Sequence, residues 1–172
     1  MLFRSTVVAT LFLLPLLASA EAPGTVKPQY EVKESVPMTG SLIAREVARL
    51  SSSLPINLPW ASLTREQQAQ VRSQYVRMPA TDEPPFPLTG TAGIFNQLAD
   101  AQQVVCVSGF LDMAVRVDPN GKAVSVDTFS SPSEQLTRFI SSVLIREKYK
   151  PAVCGGNACV MEFPLRSQLS CN

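Results

Sequence analysis

Between Leu111 and Asp127 large apolar residues recur at every second position. Leu111, Met113, Val115 and Val117 alternate with Asp112, Ala114 and Arg116; beyond Asp118-Pro119-Asn120-Gly121, Val124 and Val126 alternate with Ser125 and Asp127. A period of two marks strands with one buried face, and the intervening Pro and Gly mark a turn, so the segment predicts a β-hairpin. The period then changes. Leu136, Phe139, Ile140, Val143 and Leu144 fall at i, i+3, i+4, i+7 and i+8, one apolar stripe of a helix able to cover the hairpin. Ser131-Pro132-Ser133-Glu134 predicts its start, as N-cap, proline at the first helical position and Glu at the third, and Lys150-Pro151 predicts its end. From Val160 to Leu169 the period of two returns, with Met161, Phe163, Leu165 and Leu169 on one face and Glu162, Arg166 and Gln168 on the other. A third strand is predicted.

The N-terminal half is less regular. Leu42, Ile43, Val47 and Leu50 predict a short amphipathic helix ended by Pro55 and Pro59. Thr64 with Gln67 reads as a capping box, and Val71, Tyr75 and Met78 form a stripe running to Pro79, which predicts a second helix. Asp82-Glu83-Pro84-Pro85-Phe86-Pro87-Leu88 must be extended, because each proline restricts itself and the residue before it, and is expected along a surface. The fold class that follows is α+β: a three-stranded antiparallel sheet made of hairpin, helix and strand, one helix packed across it, and two N-terminal helices before it.

Residues 1–20 carry Arg4, an apolar run from Val7 to Leu17 and Ala18-Ser19-Ala20, the pattern of a secretory signal peptide. The run is shorter than the roughly 20 residues that span a bilayer, so no stable membrane insertion is expected after cleavage, and the periplasm is the expected compartment. Removing these 20 of the 172 residues leaves 152, enough for one domain. Residues 21–40 are polar and proline-containing and predict a flexible tail; 41–83 form the helical N-terminal part and 84–172 the α+β domain. Without Arg4 the 15 basic residues become 14, equal to the 14 acidic ones, a balance that argues against nucleic acid as a partner. All four cysteines, Cys106, Cys154, Cys159 and Cys171, lie in the exported part, where two disulfides are expected. Four cysteines allow three connectivities.

The order hairpin, helix, strand, with Asp118-Pro119-Asn120-Gly121 between the first strands, Ser130-Ser131 before the helix and Lys148-Tyr149-Lys150-Pro151-Ala152 after it, resembles the TonB C-terminal domain family. Pro85-Phe86-Pro87 looks like a variant of that family's entry segment. The resemblance covers residues 84 to 170. It implies a non-catalytic domain that pairs with other envelope proteins, often by adding a strand at the sheet edge. Transducers of that family resemble one another in an uncleaved membrane helix and a long proline-rich spacer; the expectation here is that both are missing, since the tail from Glu21 to Gly40 reaches at most roughly 70 Å, so energy transduction is not expected. The family's sheet sets the last strand antiparallel beside the first, which implies the pairs Cys106–Cys171 and Cys154–Cys159. Loop closure would then make the long ring worth about 4 kcal/mol and the short one about 2 kcal/mol.

Candidate chemistry is sparse. The chain has no His, which removes the commonest general base and most zinc sites, and no cofactor or metal is expected. Four residues separate Cys154 from Cys159, too many for a thioredoxin-like redox pair. Trp60 reads as core. In the order second, first, last, the last strand is an edge, and Glu162, Pro164, Arg166 and Gln168 are the candidate partner-binding residues for another envelope protein or a peptide. Pro164 and the flanking charges equally fit an edge blunted against aggregation. The competing reading is an envelope hydrolase or transferase using Asp82, Glu83 or Asp127, which would need a concave pocket with converging acids.

Overall fold

The computed structural model describes residues 27–33 and 54–171. The signal segment and the helix expected over Leu42 to Leu50 lie outside the described residues. Within them, three α-helices and antiparallel sheets make an α+β fold.

Trp60–Ser62 form a single 3₁₀ turn, and α1 (Arg65–Arg72) starts where the capping box predicts it. Gln67 N–H donates to Thr64 Oγ1 at 3.3 Å, and Thr64 N–H donates back to Gln67 Oε1 at 2.9 Å. The helix stops at Arg72, short of the stripe that extends it to Met78. Tyr75 instead sits in a bridge with Val32 and packs with Ala152 and Met161, so its burial comes from tertiary contact and not from a helical face. β1 (Phe86–Pro87) pairs with β4 (Tyr149–Lys150), and Pro84 to Pro87 are buried. The proline segment therefore lies inside the molecule, because Phe86 wedges between Trp60 and Phe163, with ring centroids 6.0 and 6.1 Å away.

α2 (Ala92–Val105) is a fourteen-residue helix that the sequence reading passed over, although Ile94, Leu98 and Ala101 mark its inner face. Its last turn ends on Cys106, whose φ of 44° is left-handed. β2 (Gly109–Val117) and β3 (Ala123–Ser130) form a hairpin about Asp118–Gly121, where Asp118 Oδ1 accepts from Asn120 and Lys122 N–H at 2.9 Å each. Gly121 has φ +80°, and a Cβ there would meet Tyr149 O at 2.2 Å, so only glycine fits. β3 carries two bulges, at Val124 and Phe129, which have no partner in the β2 register.

α3 (Glu134–Arg146) begins two residues later than the sequence predicts. Ser133 is the N-cap, accepting from Leu136 N–H, while Pro132 precedes the helix and packs beside Gly109. Leu136, Ile140 and Leu144 are fully buried against the sheet, whereas Phe139 stays 38% exposed at the margin of the stripe. β5 (Ala152–Cys154) and β6 (Asn157–Cys159) make a small hairpin about Gly155-Gly156, and β7 (Met161–Leu169) returns along β2. The main sheet has the order β3-β2-β7, all antiparallel. Disulfides join Cys106 to Cys171 at the β2–β7 end and Cys154 to Cys159 across the small hairpin.

Residues 27–33, read as part of a flexible tail, are a correction. They form a ribbon against the fold: Val76 N–H donates to Glu31 O at 3.0 Å, Lys33 N–H to Gln74 O at 2.9 Å and Gln29 N–H to Val160 O at 3.0 Å. A polar stretch can be ordered this way because Tyr30 and Val32 supply side-chain anchors and the main chain supplies the ladder.

Candidate functional site

The sheet has two faces of different chemistry. Leu111, Met113, Val115 and Val117 point from β2 toward α3 and are fully buried. The intervening Asp112, Ala114 and Arg116 point to the other face, where β7 contributes Glu162, Pro164 and Arg166 directly opposite them in register. Register thus creates two cross-strand ion pairs. Arg166 Nε donates to Asp112 Oδ1 at 3.1 Å, and Arg116 reaches Glu162 Oε1 at 3.4 Å. Asp112 is 1% exposed, and its second oxygen, Oδ2, has no hydrogen-bond partner among the described residues; neither has the buried Nε of Arg116.

Over this face the ribbon 27–33 builds a groove of about 710 Å³. Its walls carry Lys27, Glu31 and Lys33 from the ribbon and Asp127 and Phe129 from β3, in addition to the two ion pairs. Phe129 is 64% exposed because it is the bulged residue, which takes it out of the strand's alternation. A smaller, mostly apolar cavity of about 110 Å³ lies beside it between Leu54, Val71, Phe86, Phe95 and Phe163.

Of the four edge residues singled out in the sequence, the structure places Glu162 and Arg166 in this groove, Pro164 buried opposite Ala114, and Gln168 at the far end, its amide donating to Gly109 O at 3.2 Å. The outer edge of β7 is partly occupied by the chain itself. Besides Gln29, Tyr75 Oη–H donates to Glu162 O at 2.7 Å, and Arg166 donates to Lys33 O. Burial pushes the Tyr75 hydroxyl well above the usual tyrosine range, so it stays a donor.

The three carboxylates of the competing reading are not brought together. Asp82 accepts from Tyr30 Oη–H at 2.7 Å, Gly155 N–H at 3.1 Å and Thr81 Oγ1–H at 3.2 Å; the Tyr30 bond, followed by that from Gly155, holds its carboxyl below the usual range. Glu83 turns the other way to Lys150, at 3.1 Å. Burial lowers the Lys150 ammonium despite that partner, and Lys150 also lies over the Trp60 ring, 5.4 Å from its centroid. Asp127 lines the groove without Asp82 or Glu83. Among the described residues no group of three or more His, Cys, Asp or Glu could hold a metal ion, and no helix is long and apolar enough to cross a membrane.

Sequence reasoning missed Asp112, Arg116, Phe129 and the whole ribbon side of the groove. The signal for the first two was present, since charges alternating with four core residues on a central strand must be neutralised by a neighbouring strand. Nothing in the sequence near Lys27 to Lys33 announced where that segment docks. Compared with known proteins, the chain matches no family model and no curated protein.

Proposed function

We propose that this protein is an exported, disulfide-stabilised interaction module of the TonB C-terminal kind, acting in the periplasm, which binds another envelope protein or a peptide and does not transduce energy itself. Its domain, from 84 to 172, follows the family's order of hairpin, helix and last strand, with the second strand, the first and the last side by side. The observation that carries the binding role is the groove on the open sheet face. Two ion pairs are spent within it, while the side chains of Lys27, Glu31, Lys33 and Asp127 have no partner among the described residues and Phe129 is exposed beside them. A surface that leaves balanced charge and an aromatic ring uncommitted suits recognition of a polypeptide. A hydrolase or transferase has less support, because Asp82 and Glu83 are committed to separate structural contacts.

The test is photo-crosslinking in the exporting cell, with a crosslinking residue at Phe129 or, on the far side, at Val104. A discrete adduct from position 129 that is absent from 104 is the expected result. Equal labelling from both positions, or none from either, would count against a module that binds through this face.

A further inference from the structure

We infer that the groove between the ribbon 27–33 and the open sheet face is a binding site for an extended peptide carrying side chains of both charge signs, held by main-chain hydrogen bonds to Val32. The inference rests on the interaction-module reading and assigns its ligand and site.

Val32 stands opposite Tyr75, and the bonds of that bridge are made by the neighbours: Glu31 O accepts from Val76 and Lys33 N–H donates to Gln74. In an antiparallel ladder this makes Val32–Tyr75 a non-hydrogen-bonded pair, so the N–H and C=O of Val32 are turned to the opposite side of the ribbon. Val32 lines the groove. A guest with its own alternating donors and acceptors can take up both groups as one rung of a ladder, and a peptide backbone supplies them at that spacing.

Charge selects the guest's side chains. Lys27, Lys33, Arg116 and Arg166 line the groove together with Glu31, Asp112, Asp127 and Glu162, so the lining is balanced. A polyanion would meet four carboxylates and a polycation four basic groups, whereas a wholly apolar guest would strip water from charges without replacing it. A guest with one acid and one base answers both, and Phe129 offers an apolar contact between them. The unpaired Asp112 Oδ2 and Arg116 Nε beneath them are one acceptor and one donor that a small shift of the two guanidinium groups would bring into use.

The experiment titrates the oxidised, ¹⁵N-labelled protein with end-blocked pentapeptide pools: one drawn from Lys, Glu, Val and Thr, one lacking Glu and one lacking Lys. The mixed-charge pool is expected to shift the amides of Val32, Asp112 and Phe129, and either single-sign pool to do so much less. Val32→Pro, which removes the Val32 N–H along with its side-chain anchor, is expected to weaken the mixed pool's binding roughly tenfold; Asp127→Lys, at an exposed groove position that leaves the ribbon's anchors in place, is expected to weaken it as well. Equal shifts with all pools overturn the charge argument. Shifts confined to another surface overturn the site and leave a peptide-binding module standing, and no shift with any pool overturns both.

Discussion

The two faces of the sheet are built from alternate residues of the same strands, yet they are closed in opposite ways. One is sealed by α3, whose Leu136, Ile140 and Leu144 join Leu111, Met113, Val115 and Val117 in one fully buried cluster. The other is neutralised by pairs, Asp112 with Arg166 and Arg116 with Glu162, and roofed by a ribbon more than seventy residues earlier in the chain. The apolar face is held by area and the polar face by partners. An area term degrades gradually when one member is trimmed, while a partner term leaves behind a charge that must be solvated or lost.

That contrast can be broken at graded strengths. The largest effect is expected at the clamp both faces share: replacing Cys106 and Cys171 by Ala should cost about 4 kcal/mol, twice what the same change at Cys154 and Cys159 costs, as read by chemical denaturation. Equal losses for the two bridges would mean that ring size does not govern their contribution. On the apolar face Ile140→Ala should cost about 3 kcal/mol. Asp112→Ala on the polar face should cost a similar amount, about 3 kcal/mol, and replacing Asp112 and Arg166 together by Leu should recover most of it. A double variant no better than Asp112→Ala would show that the pair is not what holds that face.

The smallest change probes the ribbon. Tyr30→Phe should remove about 1 kcal/mol, measured at neutral pH. Asp82 gives this bond a pH signature. Its folded carboxyl is held below the usual range, so its contribution is present above the unfolded carboxylate pKa and is lost as the pH falls through the lowered folded value. The stability difference between the native protein and Tyr30→Phe should therefore shrink below about pH 4. A difference that persists in acid would show that Tyr30 acts by packing alone.

The same contrast explains what could be read in advance. The face sealed by α3 was legible because both partners carry their period in local sequence: two strands at two and a helix at 3.6. The α+β class and the three-stranded antiparallel sheet followed from those segments. The start of α3 was misplaced by two residues because Ser131 and Ser133 both qualify as caps and only the packing of Pro132 on Gly109 chooses between them. α2 was passed over because Thr91 makes no side-chain cap and its stripe of Ile94 and Leu98 is thin. The ribbon was illegible for a deeper reason. Its docking uses main-chain groups of Glu31 and Lys33, which every sequence possesses, and a single tyrosine reaching Asp82.

The two bulges of β3 have a consequence for how copies of this chain meet. Between Val124 and Phe129 only Ser125 to Thr128 keep a regular register, near the short end of strand lengths. A neighbouring copy that approached this border would find its ladder broken at both ends, and the kinked backbone would turn it aside. An edge kinked at both ends is thus a poor template for a further strand, even though it carries an exposed phenylalanine.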